Sequence, residues 1–103
     1  MNNNIMYQAE LFSIGRERYA ELDYKAYFTS KQKAVDWCRE KLPLFHDAIE
    51  AEKNADYYIS IREWVESEGR YMPNAFYEFI SWNMDTQAVE QMHGDALNFF
   101  ITL

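Results

Sequence analysis

The sequence predicts an α+β fold: an antiparallel sheet of about five strands, packed on one face by a helical segment that is kinked near Pro43. Three observations predict this fold. Apolar and polar residues alternate in two runs before residue 30, which is typical of half-buried strands. Apolar residues then recur at three- and four-residue spacing over residues 31–53, as in an amphipathic helix. The second half is rich in aromatic and β-branched residues, which favour strands.

Length and composition indicate one domain over residues 1–103 with one hydrophobic core. Hydrophobic residues make up 49% of the chain, far more than a disordered chain contains. Cys38 is the only cysteine, so no internal disulfide can form and no zinc-binding pattern exists. We therefore expect neither a metal nor a cofactor.

The first two strands are predicted to form a hairpin. Residues 5–14 carry apolar side chains at alternate positions, with Gln8 and Glu10 on the opposite face. Residues 19–28 alternate more strictly. Gly15 lies near the start of the short link, where a turn can use positive φ, so an antiparallel pair is expected.

The helical segment begins after Ser30, a good N-cap candidate. Pro43 lies inside the apolar pattern, where proline removes a backbone donor and clashes with the preceding turn. We expect a kink, or two helices over 31–41 and 43–53 with Pro43 at the start of the second, and Asn54 as the stop. The apolar stripe consists of Ala34, Trp37, Cys38, Leu42, Phe45 and Ile49.

Two more strands are expected around a loop. Residues 56–65 carry aromatic side chains on both faces, which predicts a central strand or one covered on both sides. Residues 66–74 are polar at first and contain Pro73-Asn74, which indicates a long acidic loop. Residues 75–82 fit either a helix capped by Asn74 or a strand, and their aromatic density favours the strand.

The C-terminal region is predicted to hold a short helix over residues 87–93, capped by Asp85 or Thr86 and ended by Gly94. Residues 97–103 are apolar apart from two positions, which predicts a last strand. The expected order of elements is therefore β-β-α-β-β-short α-β.

Charge is unevenly placed along the chain. Residues 1–41 contain seven basic and six acidic residues, whereas residues 42–103 contain three basic and eleven acidic residues. Phosphate neutralisation by Lys and Arg dominates nucleic-acid affinity, so direct binding of DNA or RNA is not expected of the second half. A basic protein partner is more natural. A purely solubilising role for the acidic surface is the alternative.

Catalytic and nucleotide-binding signatures are missing from the sequence. Gly15, Gly69 and Gly94 are isolated, so neither a dinucleotide fingerprint nor a P-loop can form. His46 and Glu50 are spaced i, i+4, but no further histidine or cysteine completes a metal shell. We therefore expect a protein that is not an enzyme. The alternative is a small enzyme or ligand-binding domain with a pocket between helix and sheet.

The aromatic residues of the second half are too many for one small core, and exposed Tyr and Trp are common interface anchors. Acidic residues are interleaved with them, which predicts an acidic rim around aromatic contacts at the end of the 56–65 strand and in the 66–74 loop. The candidate partner-binding residues are Glu63, Trp64, Glu66, Glu68, Tyr71, Tyr77, Glu78, Asp85 and Glu90.

In size, acidity and lack of a catalytic motif, the chain resembles small phage or mobile-element inhibitors of the anti-CRISPR or anti-restriction kind. The resemblance covers these general properties and assigns no residue. It implies an inhibitor that fills the nucleic-acid groove of a DNA- or RNA-handling protein such as a CRISPR or restriction nuclease. Carboxylates would replace phosphates, and Tyr or Trp would replace stacked bases.

A second hypothesis is an adaptor or structural protein that forms a homodimer through an exposed strand edge such as residues 97–103. The first six residues show no basic n-region or long apolar run, so we expect no signal peptide. No apolar run approaches the roughly 20 residues of a membrane span, so we expect a cytoplasmic protein that binds no membrane.

Overall fold

The computed structural model describes residues 4–15 and 23–90, which form one five-stranded antiparallel sheet and two helices. The strand order across the sheet is β2-β1-β3-β4-β5. This confirms the predicted fold class. The elements are β1 (Ile5–Gly15), β2 (Asp23–Phe28), α1 (Lys31–Glu40), α2 (Leu42–Ala51), β3 (Ala55–Ser67), β4 (Arg70–Asn83) and β5 (Ala88–Glu90).

The two helices follow the sequence signals closely. The Ser30 side chain accepts a hydrogen bond from the Lys33 amide at 3.4 Å and caps α1. Pro43 lies in the first turn of α2, where its missing N–H costs no helical hydrogen bond. The prediction of two helices divided near Pro43 is confirmed, although α2 ends at Ala51, before Asn54. Neither of these helices is long and apolar enough to cross a membrane.

The hydrophobic core lies between the helices and one face of the sheet, which we call the helix face. Alternate residues of β1 and β3 point into it because successive side chains of a strand point to opposite faces. The helices add Val35, Cys38, Phe45 and Ile49. The largest fully buried side chains are Phe45, Leu11, Ile59, Val35 and Cys38.

Two register shifts interrupt the pairing of β3 with β4. The first falls between Ile59 and Ser60 and leaves Phe79 as an extra residue in β4. Such a bulge sets two successive side chains on nearly the same face, and both Phe79 and Ile80 are buried in the core. The second shift leaves Asn74 as the extra residue, next to Pro73.

The prediction of a long loop over residues 66–74 is wrong. β3 continues to Ser67, and a two-residue turn leads directly into β4 at Arg70. Glu68 and Gly69 both have positive φ, as primed hairpin turns require. The polar side chains belong to an exposed strand pair, and Pro73 is tolerated because it lies beside a bulge. The preference for a strand over 75–82 is confirmed.

The predicted short helix is also wrong where the structure describes it, because Ala88–Glu90 form β5 and pair with residues 81–83 of β4. The Asn83 side chain accepts hydrogen bonds from the amides of Asp85 and Thr86 at 2.7 and 3.1 Å. The turn is held by the side chain of Asn83, and the two residues that the pattern assigned to a helix cap contribute their backbone amides to it. The predictions for residues 19–22, 91–93 and 97–103 lie outside the described residues.

Candidate functional site: an acidic face of the sheet

The sheet face opposite the helices, which we call the far face, carries the most distinctive cluster of the molecule. Phe12 of β1 and Tyr58 of β3 stack there, with ring centroids 5.0 Å apart and an interplanar angle of 20°. Each of the five strands contributes one carboxylate to the same face around this pair. These are Glu10, Asp23, Asp56, Glu78 and Glu90, and together with the two rings we call them the acidic face.

Strand register explains why these residues meet. Asp23 pairs with Phe12, and Phe12 pairs with Tyr58. Tyr58 pairs with Ser81, which pairs with Glu90. These five positions form one row across all five strands. Glu10 and Glu78 lie in the neighbouring row, on either side of Ser60, and Asp56 lies two residues before Tyr58 on β3.

Burial and the neighbouring carboxylates raise the pKa values of two groups on the acidic face. The pKa of Tyr58 is raised, first by burial and then by the charges of Asp56, Glu78 and Glu90. The pKa of Glu10 is raised as well, first by burial and then by its hydrogen bond with Asp23 and the charge of that residue. A cation approaching the two rings would therefore be attracted from several directions.

Among the described residues, salt bridges reach the acidic face on its β1–β2 side. The Lys25 ammonium lies 3.8 Å from a carboxylate oxygen of Glu10 and 3.5 Å from one of Asp23. Within residues 4–15 and 23–90, no Lys or Arg forms a salt bridge with Asp56, Glu78 or Glu90. Both bridges of Lys25 are partly exposed, so each contributes at most about 1 kcal/mol.

One arginine of the chain already lies on the far face, in the row beyond Glu10 and Glu78. The Arg62 guanidinium carbon is 5.8 Å from the centroid of the Trp64 ring and 5.4 Å from that of Phe76. The indole N–H of Trp64 donates to the Gln8 side chain at 3.1 Å, which fixes the ring. The far face thus holds a guanidinium between aromatic rings of two adjacent strands.

Five of the nine residues predicted from the sequence to bind a partner lie on the far face. Glu78 and Glu90 belong to the acidic face. Trp64 packs with Arg62. Farther along the β3–β4 hairpin, Glu66 accepts a hydrogen bond from the Asn4 side chain at 3.0 Å and pairs with Tyr71.

The other four predicted residues lie elsewhere. Glu63 is on the helix face, where it accepts a hydrogen bond from the Asn74 side chain. Tyr77 is on the same face, with the Lys31 ammonium 4.4 Å from its ring centroid. Glu68 lies in the β3–β4 turn, and Asp85 lies in the turn at the opposite end of β4. The nine residues therefore do not form one surface.

The sequence reasoning did not select five members of the acidic face. A signal for them existed, because alternation places Glu10 on the polar side of β1, opposite the core. What the sequence did not supply is the register that aligns neighbouring strands. Charge was summed along the chain, so the acids of the first half were offset by bases such as Lys31, Lys33 and Arg39, which lie in α1. The five are Glu10, Phe12, Asp23, Asp56 and Tyr58.

Metal binding and thiol chemistry find little support in the described ranges. Across them, no three His, Cys, Asp or Glu side chains group so as to hold a metal ion. Cys38 is fully buried, and burial raises its pKa to about 12, whereas reactive cysteines have lowered pKa values. A groove of about 270 Å³ beside α1 is lined by Phe28, Lys33, Asp36, Trp37 and Glu40.

No protein-family model, curated protein or solved structure matches this chain. Function is therefore inferred from the chemistry of the acidic face.

Proposed function

We propose that this chain is a non-enzymatic binding protein whose acidic face engages a basic surface of a nucleic-acid-handling protein and blocks it. The observation that supports the proposal is the convergence of one carboxylate from every strand around the stacked rings of Phe12 and Tyr58. Carboxylates replace the phosphates of a nucleic acid, and the aromatic rings replace its bases.

The extent of the acidic face supports an extended partner surface. Its carboxylates span four inter-strand intervals, from β2 to β5, which is roughly 19 Å at the usual strand spacing. The face presents its charges on paired strands, which hold the carboxylates in place.

The proposed targets are nucleases of the CRISPR or restriction type, and the protein would act on them in the cytoplasm as an inhibitor of the phage or mobile-element kind. Such binding depends on charge, so it should weaken steeply with ionic strength. Association should also be fast at low salt, because opposite charges steer the encounter.

Charge reversal tests the proposal. Partners are captured from the native host with the wild-type chain, with the double variant Glu78→Lys/Glu90→Lys and with Glu66→Lys/Glu68→Lys, each at low and at high salt. Reversal at Glu78 and Glu90 should abolish capture of a basic protein, and a nuclease captured by the wild type should lose nucleic-acid binding when it is bound. The reversal at Glu66 and Glu68 measures the contribution of the hairpin end.

Circular dichroism spectra and melting temperatures establish that the variants fold. Capture that is unchanged by both double reversals and by salt would contradict the proposal. Capture that survives the change at Glu78 and Glu90 would also contradict it, and its loss with Glu66 and Glu68 in that case would place the contact at the β3–β4 turn instead of the acidic face.

A further inference from the structure

We infer that the Phe12–Tyr58 stack is a receptor for an arginine side chain of the basic partner. The guanidinium would lie against the Tyr58 ring, and the carboxylates of Asp56 and Glu78 would accept its hydrogen bonds. The inference rests on the proposed function and names the group that the acidic face recognises.

Geometry is the first support. The two rings lie nearly parallel with centroids 5.0 Å apart, and both residues are half-buried. Asp56 Oδ1 already accepts a hydrogen bond from the Met84 amide at 2.8 Å, so a guanidinium would bond to its other carboxylate oxygen. Both carboxylates belong to strands that flank or contain Tyr58. A guanidinium is planar, so it can stack on an aromatic ring while its N–H groups reach a carboxylate in the same region. A lysine ammonium has no such plane and pairs as a point charge.

Arg62 provides an internal example of the same chemistry. Its guanidinium lies within 6 Å of the ring centroids of Trp64 and Phe76, on the same sheet face. The spacing of adjacent strands on this sheet therefore accommodates a guanidinium against aromatic rings. The Phe12–Tyr58 pair also places aromatic rings on two adjacent strands, although these rings stack on each other, and it has more carboxylates around it.

Charge complementarity identifies the occupant as a basic partner. Lys25 bridges Glu10 and Asp23 on the β1–β2 side only. In the part of the chain that the structure describes, Asp56, Glu78 and Glu90 form no salt bridge.

Labelled hexa-arginine and hexa-lysine peptides test the inference on the full chain, with fluorescence anisotropy at low salt. Hexa-arginine should bind about tenfold more tightly, because only its side chains gain the ring contact. Tyr58→Leu removes the π face and keeps the charge, and it should bring the two peptides to within about twofold of each other. Amide shifts of residues 10–12 and 56–60 on adding hexa-arginine should locate the site.

Tyr27→Leu is the matched control. Tyr27 lies on the same sheet face and is 56% exposed, but its neighbours on that face are Gln8, its cross-strand partner, and Lys25, two residues away. This variant should keep the preference for arginine. If Tyr58→Leu does not fold, the peptide preference of the wild type and the amide shifts decide the question without it.

Three results would overturn the inference: equal affinity of the wild type for the two peptides, an arginine preference that survives in Tyr58→Leu, or nuclear Overhauser contacts that place residues 91–103 on the two rings. The proposed function fails separately. If Glu78→Lys/Glu90→Lys abolishes partner capture while the peptides bind equally, only the arginine receptor is wrong. If that reversal leaves capture intact, the proposed function is wrong whatever the peptides show.

Discussion

Glu68 and Gly69 are consecutive residues with positive φ, 52° and 82°, and together they join β3 to β4. Only glycine adopts this conformation without cost, and asparagine tolerates it better than most other residues. The turn therefore combines one well-suited residue with one that is strained.

Gly69→Ala should lower the free energy of unfolding by about 1 kcal/mol, because a side chain disfavours the left-handed region. No atom lies within 4 Å of the Cβ position, so the loss comes from the backbone alone. Glu68→Asn should raise stability by about 0.5 kcal/mol, since Asn-Gly is a preferred hairpin turn. Urea denaturation measures both changes, and a Gly69→Ala variant as stable as wild type would contradict the assignment of the turn.

Phe45→Ala should destabilise the protein by about 3–5 kcal/mol, because Phe45 is fully buried between α2 and the sheet. Phe76→Ala is the matched control, since Phe76 is 51% exposed. Its loss should be about 1 kcal/mol or less, from the ring contact with Arg62. Chemical denaturation monitored by circular dichroism compares the two. Similar losses of stability in the two variants would mean that Phe45 does not lie in the hydrophobic core.

Glu10→Gln should raise the melting temperature at pH 7. The pKa of Glu10 is raised above 4.5 in the folded chain by burial and by its neighbour Asp23, so ionisation opposes folding. The stability contributed by the protonated Glu10 carboxyl is fully present below about pH 4.5, the pKa of this group in the unfolded chain. It is lost as the pH rises through the higher pKa of the folded chain. The exposed bridge to Lys25 is too weak to reverse the sign.

Melting curves of Glu10→Gln and wild type at pH 4 and pH 7 test this sign. The advantage of the variant should be present at pH 7 and should shrink at pH 4, where the wild-type carboxyl becomes protonated. An advantage that grows toward low pH would mean that the Lys25 bridge dominates.

Cys38 should not react with Ellman's reagent at pH 8 in the native chain. Its side chain is fully buried, and burial raises the thiol pKa to about 12. The reagent therefore cannot reach the sulfur, and the reactive thiolate is scarce at pH 8. One equivalent should react in denaturant. Rapid reaction of the native protein would show that α1 separates readily from the sheet.

Much of the fold was predictable because its signals are local. Ser30 and Pro43 mark helix starts by backbone chemistry that acts within one turn, and alternation in β1 reports which side chains face the core. The β3–β4 hairpin was missed because Glu66 to Arg70 are polar on an exposed strand pair, where alternation carries no apolar signal.

The site was less predictable than the fold because it depends on long-range register. Glu10 and Glu78 are neighbours across Ser60, although 68 positions separate them in the chain. A bulge at Phe79 helps to set which residues of β4 face them. No local pattern encodes that alignment. The charge of the second half pointed to Glu78 and Glu90. It did not point to the residues of β1, β2 and β3 that lie beside them on the acidic face.

The position of β1 between β2 and β3 has a consequence for synthesis. Its second partner is β3, and their pairing runs from Gly15 with Ala55 to Ile5 with Val65, so one edge of β1 stays at least partly unpaired until residue 65 has left the ribosome. Such distant pairing slows folding, and an unpaired strand edge invites association between nascent chains. Translation at reduced temperature or with a general chaperone should therefore increase the yield of folded protein more than changes to the C-terminal half.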